Sequence, residues 1–457
     1  MTWSDPNQLH RTGKLLIDLC LATNPAEARA VLEGMVLQVD VGPGLEHQPA
    51  SQAALLTIVN AGYRAFLGGV LVCIDDDPIL TAGWGRGLRL SEAVLCFGGQ
   101  LVDGHLGDHP TIVVGRPTRE SIGEIVLHTA TNGWSGGVVE TTPDRPDDDG
   151  IALAGVAAAA IGVSEVFQYC LGSPIAGRRN VGVSLWRPDL PWRDPNALGP
   201  PLRWLPRSLW LLGLGHLGQA YAWSLGWLPY ATPSEATAYL MDFDSIIEGN
   251  LATGLLARSD DVGKRKTRLV AEHLESLGLR TAIVERRFDE TLRLVGDEPG
   301  LALAGFDDPI PRRALGDDRF GRVVDGALGA GPVGYLDIQL HTFPSRLDPA
   351  TAFGSGTKAS STDLLPAYEA EAQRRIAVGE NGGDARCGML EFACVTIGAA
   401  FVGAVASALI LADPLRGLHA GQEFAVIGLD LRSPNDIQAA PNPEPGEYIP
   451  LAASATP

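Results

Sequence analysis

The stretch Leu211-Leu-Gly-Leu-Gly-His-Leu-Gly218 decides how the rest of this chain is interpreted, because Gly213, Gly215 and Gly218 form a G-x-G-x-x-G pattern. An apolar run precedes the glycines and a helix-like segment follows them, which predicts a strand, a turn and a helix. In that context glycines allow a tight turn and let the backbone approach phosphate groups at the helix N-terminus. The pattern alone is a weak signal, since such a stretch can also be a simple turn.

Polar residues after a second predicted strand, residues 238–241, make the pattern specific. This strand runs into Asp242-Phe243-Asp244, and Asn250 and a D-x-G-x-x-K stretch that ends at Lys266 follow. A dehydrogenase needs one acidic residue after its second strand and specifies little else. The spacing of D-x-D, N-L and D-x-G-x-x-K instead resembles the ThiF/MoeB and ubiquitin-activating-enzyme superfamily, whose members use ATP to adenylate the C-terminal glycine of a ubiquitin-like protein.

The resemblance implies a nucleotide-binding role for each part of this pattern. The backbone of the glycine turn cradles the nucleotide, and Asp242 takes the position of the ribose-binding aspartate, with Asp244 in the same site. Asn250 and Lys266 take positions that contact the phosphates. A lysine and backbone N–H groups suit adenylation, because they stabilise the negative charge that passes to pyrophosphate. Lys264 is expected to lie in solvent at a helix start.

One departure from the family pattern concerns a phosphate-binding arginine. The family has N-L-x-R, whereas this sequence has Thr253 at the arginine position, and a hydroxyl cannot replace a charged guanidinium. Arg258, five residues further on, is one candidate for the missing charge. Arg11, in the first predicted helix, is the other, because relatives take an arginine from a helix of the partner half.

A second acidic segment follows the predicted strand 301–304 and is expected to bind magnesium. Here the family has D-N with an arginine five residues after the aspartate, which implies Mg²⁺ binding by Asp307 and a catalytic role for Arg312. Asp308 replaces the asparagine. Carboxylate oxygens suit the Mg²⁺ that accompanies ATP phosphates. The alternative is a charged turn next to prolines.

Cys387 is the candidate nucleophile. The polar stretch 340–387 corresponds to a crossover loop that covers the substrate tail in relatives and carries a cysteine before the last long helix. A thiolate there can attack the acyl adenylate to form a thioester, and Arg386 and the following helix N-terminus are expected to lower its pKa. A plain helix-start cysteine is the alternative. The other cysteines are expected in the core: Cys20, Cys73, Cys96, Cys170 and Cys394.

Composition excludes several other classes of protein. The 457 residues carry a formal net charge of −19, which argues against a sequence-independent grip on nucleic acid or on an anionic membrane. No stretch approaches about 18 uninterrupted apolar residues, so no membrane span is predicted. Without an N-terminal secretion signal or a C-x-x-C pair, the sequence predicts a cytoplasmic protein that lacks the zinc clamp of many relatives.

Alternating strand and helix patterns predict an α/β fold in two halves. Residues 196–438 are the Rossmann-like adenylation domain. Residues 1–195 are predicted to be a degenerate, inactive relative of it, because they carry no G-x-G-x-x-G. Each half is expected to close with a helix of small residues, 150–171 in the first half and 388–411 in the second.

Further segments complete the predicted organisation. Residues 8–37 are predicted to form two helices, broken near Pro25. Five prolines between residues 186 and 204 predict a linker. Residues 439–457 are rich in proline and alanine and are expected to form a flexible or surface-lying tail.

The predicted reaction therefore has two steps. ATP and Mg²⁺ adenylate the C-terminal glycine of a ubiquitin-like protein, and the acyl group then passes through a thioester on Cys387 to a conjugating enzyme. The layout most resembles the activating enzymes of bacterial ubiquitin-like conjugation operons, such as the Bil antiviral systems, and a homodimer is one assembly left open.

Three rival functions remain at this stage. The first is a sulfur-carrier or peptide-modifying adenylyltransferase, which forms the same adenylate. The second is a degenerate, non-catalytic scaffold that binds a ubiquitin-like partner. The third is an NAD-dependent oxidoreductase, which explains the glycine turn but gives no role to Asn250, Lys266 and Asp307.

Overall fold

The computed structural model describes residues 8–104, 107–143, 150–316, 319–354, 366–377, 381, 389 and 391–456. Helices in these ranges include α1 (Arg11–Asp18), α2 (Pro25–Gly34), α3 (Pro49–Gly62), α4 (Leu90–Cys96), α5 (Ala152–Cys170), α6 (His216–Leu225), α7 (Lys266–Ser276), α8 (Pro309–Arg313), α9 (Gly331–Gly334), α10 (Pro349–Ala352), α11 (Pro366–Ala377) and α12 (Ala400–Leu418). The strands include β1 (Val36–Val41), β2 (Gly69–Ile74), β3 (Gln100–Leu101), β4 (Thr111–Val114), β5 (Val126–Asn132), β6 (Ser135–Val139), β7 (Val181–Ser184), β8 (Trp204–Pro206), β9 (Ser208–Leu212), β10 (Thr237–Met241), β11 (Arg280–Val284), β12 (Leu301–Ala304), β13 (Arg322–Leu328), β14 (Asp337–Phe343), β15 (Phe424–Asp430), β16 (Gln438–Pro441) and β17 (Ala452–Ser454).

Two large sheets share one strand order. The first runs β3-β2-β1-β4-β5-β6-β7, and the second runs β11-β10-β9-β12-β13-β14-β15-β16. In both sheets the five strands on one side are parallel and the remaining strands are antiparallel. The predicted fold class, a Rossmann-like α/β domain preceded by a related α/β domain, is confirmed. The domain boundaries at residues 195 and 438 stay predictions.

Two long helices of small residues join the halves in one core. Helix α5 lies in sequence between β6 and β7 of the first sheet, and α12 lies between β14 and β15, the corresponding strands of the second sheet. The rings of Phe167 and Phe401 meet between them with centroids 5.4 Å apart. Both helices are long and apolar enough to cross a membrane, but 89% of each apolar window is buried inside the protein. Core packing therefore accounts for their apolar composition.

The first predicted helical region ends earlier than expected. Residues 36–37 were predicted as helix, whereas α2 ends at Gly34 and β1 begins at Val36. This strand pairs with β2 on one side and with β4 on the other, so it is central and buried. Its polar residues Gln38 and Asp40 are also buried, and they interrupt the apolar run that would have identified the strand.

The last long helix begins later than predicted. The prediction placed it at 388–411, whereas α12 spans Ala400–Leu418 and Ala399 before it is extended. The backbone carbonyl of Gly398 accepts a hydrogen bond from Thr12 Oγ1 at 2.9 Å, so the preceding segment is held against α1. At the other end, the helix continues through Pro414.

The predicted core location is wrong for three cysteines. Cys73 is buried and Cys170 is half-buried, but Cys20, Cys96 and Cys394 are exposed. Apolar neighbours in the sequence did not reveal that Cys20 follows α1 and that Cys96 ends α4, where side chains reach the surface.

The tail predicted at 439–457 contains regular structure. Strand β17 pairs antiparallel with β8, just ahead of the glycine-turn strand β9. Strand β16 extends the second sheet by pairing with β15. The tail lies along the surface as a partner of two strands.

Candidate functional site

The glycine turn connects β9 to α6 and lies at the carboxyl ends of the parallel strands. Gly213 has a φ of +80°, a conformation that favours glycine, and its N–H donates to the carbonyl of Met241 at 2.9 Å. A Cβ on Gly218 would lie 2.0 Å from the carbonyl oxygen of Gly213, so only glycine allows the helix to approach the turn this closely. A Cβ on Gly215 would meet nothing within 4 Å, which leaves open space over the turn.

Asp242 fastens this turn to the end of β10. Its side chain is buried, and Oδ2 accepts the backbone N–H of Leu214 at 2.6 Å. Its Oδ1 accepts the backbone N–H of Asp244 at 2.7 Å. The carboxylate therefore orders the backbone of the predicted ribose position. Sequence reasoning assigned Asp242 to the nucleotide and missed this structural role.

Lys266 and Asp244 form the next contact along the same edge. Lys266 is the first residue of α7, and its Nζ lies 3.0 Å from Asp244 Oδ2. Its backbone N–H also donates to the carbonyl of Asp244 at 3.0 Å. The lysine side chain is 11% exposed and the aspartate side chain 48%, so an anion can compete for the ammonium from the solvent side. The structure thus brings together the D-x-D and D-x-G-x-x-K segments.

Asn250 lies in a short 3₁₀ turn, Glu248–Ala252, that packs against α1. Its Oδ1 accepts the backbone N–H of Ile247 at 3.1 Å, which orders the turn. Thr253, at the position of the family arginine, ends the turn and is buried. This segment therefore supplies no positively charged side chain at the position of the family arginine.

Arg11 of the first half and Asp307 of the second half lie close enough for their opposite charges to attract each other. Gly305, two residues before Asp307, donates its N–H to the carbonyl of Leu212 at 2.9 Å, which brings this segment beside the glycine turn. Burial lowers the pKa of Arg11, and the negative charge of Asp307 opposes that shift. Within the described part of the chain, the Asp307 carboxylate makes no hydrogen bond. Helix α1 of the first half therefore delivers a guanidinium to the second.

Arg312 is held by a carboxylate that the sequence analysis missed. Its Nε lies 3.1 Å from both oxygens of Asp325, and its Nη2 lies 2.5 Å from Oδ2. The guanidinium also stacks over Phe353, 4.0 Å from the ring centroid. Asp325 is fully buried on β13, and burial raises its pKa to about 6 against the opposing effect of Arg312. Through these bonds from Nε and Nη2, Arg312 anchors the Asp307 segment to the sheet.

Arg258 makes its contacts with the first half. Its Nη2 donates to the carbonyl of Cys96 at 2.9 Å, and the guanidinium lies 5.9 Å from the ring centroids of Tyr63 and Phe97. Its backbone N–H donates to Asp261 Oδ2 at 2.9 Å. These contacts tie the loop before α7 to α3 and α4, and they leave Arg11 as the stronger candidate for the missing phosphate-binding charge.

Arg64, which sequence reasoning overlooked, holds the loop after Asn250. It follows α3, is 2% exposed, and donates to three backbone carbonyls of the second half: Leu251 at 2.5 Å, Leu255 at 3.1 Å and Ala257 at 3.1 Å. Burial and the neighbouring Arg258 lower the pKa of Arg64 to about 9. A lone arginine at a helix end carries no sequence signal for this role.

His216, inside the glycine pattern, is half-buried, and its Nε2 atom is enclosed by the protein. Burial lowers its pKa to about 4, which a hydrogen bond with the backbone of Ala399 partly opposes. Gly403 of α12 leaves room for the ring, since a Cβ there would lie 2.5 Å from Nε2. His216 therefore packs the glycine turn against α12, and the G-x-G-x-x-G pattern alone gave no sign of this contact.

The metal and nucleophile predictions extend beyond these contacts. Among the described residues, no group of three or more His, Cys, Asp or Glu side chains could hold a metal ion. Mg²⁺ commonly takes one or two carboxylates and completes its octahedron with phosphates and water, so Asp307 alone fits that chemistry. Cys387 and Arg386 lie outside the described residues.

Comparisons with known proteins agree with this architecture. The BilD N-terminal domain family matches residues 36–185, and the BilD C-terminal domain family matches residues 205–421. A curated relative, the bacterial E1-like protein BilD of Collimonas sp. (strain OK412), is 37% identical over 440 residues, which are 95% of this chain and 94% of the relative.

Two solved structures show a weaker similarity. E. coli MccB is 14% identical with a TM-score of 0.35 and covers 71% of this chain and 96% of that chain. PaaA is 13% identical with a TM-score of 0.30 and covers 51% of this chain and 63% of that chain.

Proposed function

Because this chain belongs to the BilD family of bacterial E1-like proteins, we propose that it activates the C-terminal glycine of a ubiquitin-like protein. As an E1-like protein it is an ATP-dependent adenylating enzyme. The finer proposal has two steps: formation of an acyl adenylate, then transfer through a thioester to a conjugating enzyme. We place the protein in the cytoplasm and in antiviral defence as part of the same proposal.

One observation carries the proposal. Gly213, Asp242 and Asp307 follow three adjacent parallel strands, and Arg11 of the first half lies near Asp307. Ligands of open α/β sheets bind at this kind of edge, where the strand order reverses around the first strand. Open space over Gly215 leaves room for phosphates at the N-terminus of α6.

In the adenylation step, a carboxylate oxygen of the terminal glycine attacks the α-phosphorus of ATP. The bond from that phosphorus to the bridging oxygen breaks, and pyrophosphate leaves with the electron pair. Lys266, Arg11 and the N–H groups of the turn stabilise the charge that develops on the phosphates. Asp307 is the residue that would hold Mg²⁺, which would neutralise further phosphate charge.

Several residues of the site position others. Asp242 shapes the glycine turn beside the ribose, Asp244 holds Lys266 until the nucleotide arrives, and Asn250 orders the turn under α1. Arg312 fixes the segment of Asp307 through Asp325.

In the thioester step, the thiolate of Cys387 attacks the acyl carbon and AMP leaves. The acyl group then moves to a thiol of the conjugating enzyme, which regenerates the Cys387 thiol. Cys394 is exposed in the same part of the sequence and provides a matched control cysteine.

ATP–pyrophosphate exchange with the candidate ubiquitin-like protein tests the adenylation step. We expect exchange that requires the terminal glycine; a wild-type protein without exchange contradicts the proposal. Exchange stimulated by a short precursor peptide, and by no ubiquitin-like protein, assigns the chain to peptide modification instead.

Two cysteine variants test the second step. Cys387→Ala keeps exchange but loses the thiol-sensitive adduct on a non-reducing gel, while Cys394→Ala keeps both. Loss of the adduct in Cys394→Ala alone would move the nucleophile to Cys394.

A further inference from the structure

A buried cluster of charged and polar side chains joins α11 to α1. Lys14 Nζ lies 2.5 Å from Asp18 Oδ2, and Tyr368 donates its hydroxyl to Asp18 Oδ1 at 2.5 Å. The Lys14 and Asp18 side chains are 4% and 6% exposed, and Tyr368 is 3% exposed. Both carboxylate oxygens are thus used, and the ammonium also lies 5.5 Å from the centroid of the tyrosine ring.

The spacing along α1 relates this cluster to the proposed active site. Arg11, Lys14 and Asp18 are three and four residues apart, so they follow one another along one face of the helix. The same helix packs against the turn that carries Asn250 and against α9, and Thr12 bonds to Gly398. A movement of α1 therefore moves Arg11 relative to Asp307.

A second contact supports the same docking. Arg374 of α11 lies close enough to Glu27 of α2 for the opposite charges to attract each other. Pro25 of α2 lines the same small pocket as Tyr368 and Glu371 of α11, so α11 lies beside both N-terminal helices. Apolar packing alone could hold these helices together, and a buried ion pair adds little stability over apolar residues of similar volume. What a directed hydrogen bond adds is one fixed position of α11 on α1.

We propose that Tyr368 is a positioning residue that, through Asp18 and Lys14, holds Arg11 in place for the transfer of charge to pyrophosphate. This inference rests on the proposed function, since it assumes that Arg11 acts on the phosphates of ATP. It assigns Tyr368 no contact with the nucleotide. The structural consequence is that α11, which lies between β14 and β15 in sequence, controls the residue that the first half contributes.

A double-mutant cycle tests this coupling. Tyr368→Phe keeps the ring and removes the hydroxyl bond, and we expect it to lower kcat for ATP–pyrophosphate exchange roughly tenfold with KM for ATP changed less than about twofold. In an Arg11→Ala background the same change should cost no further activity, within about twofold, because its effect passes through Arg11. The proposal would be overturned if the loss of activity in the double variant equalled the product of the two single-variant losses. Wild-type exchange in Tyr368→Phe would also overturn it.

Matched controls separate positioning from folding. Tyr230→Phe removes another buried tyrosine hydroxyl bond, the one to the carbonyl of Pro206 at 2.8 Å, and should leave exchange within about twofold of wild type. Circular dichroism and Tm verify that each variant folds.

A second readout distinguishes failure of this inference from failure of the proposed function. If the wild-type protein shows no exchange, adenylation is contradicted, and the same four-protein cycle is measured as Kd for pyrophosphate in the presence of Mg²⁺ by calorimetry, because Arg11 is proposed to hold the charge that passes to pyrophosphate. Non-additive weakening by Arg11→Ala and Tyr368→Phe supports the coupling there. Additive effects, or affinity unchanged in both variants, overturn it.

Discussion

The two halves of this protein place the same kind of turn at the same edge of matching sheets. In the second half Asp242 accepts the N–H of Leu214 at 2.6 Å, and in the first half Asp76 Oδ2 accepts the N–H of Gly44 at 3.2 Å. Each carboxylate follows the second strand of its sheet and fastens the turn after the first strand. A glycine turn held by a carboxylate that follows the second strand is therefore a property of the shared fold.

The two halves differ in how closely a neighbouring segment approaches the first glycine of the turn. A Cβ on Gly42, the first-half counterpart of Gly213, would lie 2.4 Å from the backbone of Arg116, so the segment after β4 covers that turn. Asp75 keeps the segment there by pairing with Arg119 at 2.8 Å and accepting the N–H of Thr118. In the second half a Cβ on Gly213 would lie 3.1 Å from the carbonyl oxygen of Gly305, while Gly215 and its counterpart Gly44 both face open space. The neighbouring segment therefore approaches the turn more closely in the first half than in the second.

The halves also differ at the helix that follows the second strand. Lys266 begins α7, whereas Leu90 begins α4 after the half-exposed Arg89. Lys266→Ala should lower exchange about 100- to 1,000-fold, the effect of removing one donor from developing charge in a desolvated site. Arg89→Ala, its first-half control, should stay within about twofold of wild type. Equal losses in the two variants would show that both edges take part in catalysis.

A second pair of variants, with smaller expected effects on exchange, compares the two carboxylates that hold the turns, Asp242 and Asp76. Asp242→Asn keeps the shape but halves the acceptor capacity of a side chain that accepts two backbone N–H groups. We expect it to lower exchange roughly tenfold and to raise KM for ATP, because the turn loses its fixed form. Asp76→Asn in the first half should leave exchange within about twofold and change only the thermal midpoint. Reversed effects would mean that the first half holds the nucleotide.

Particular residues show which features of the fold and the site could be predicted from the sequence. Short-range spacing located Gly213, Asp242 and Lys266 because each follows a strand or begins a helix, and these positions become neighbours in any sheet of this order. Periodicity missed β1, because Gln38 and Asp40 are buried within it.

Contacts between distant parts of the chain were harder to predict. Asp325 lies in a mostly apolar strand, so its pairing with Arg312 has no sequence signal. Arg64 donates to backbone carbonyls, which every residue has, so its partners cannot be identified from residue types. Arg11 was proposed because relatives take an arginine from a helix of the partner half. Its proximity to Asp307 could not be predicted, because it depends on how α1 packs on the second half.

The most direct test of the account is the number of ATP molecules bound per chain, measured by calorimetry in the presence of Mg²⁺. We predict one site per chain, weakened by Lys266→Ala and unaffected by Asp76→Asn. Two sites per chain, or one site that survives Lys266→Ala and disappears in Asp76→Asn, would contradict the assignment of the nucleotide to the second half.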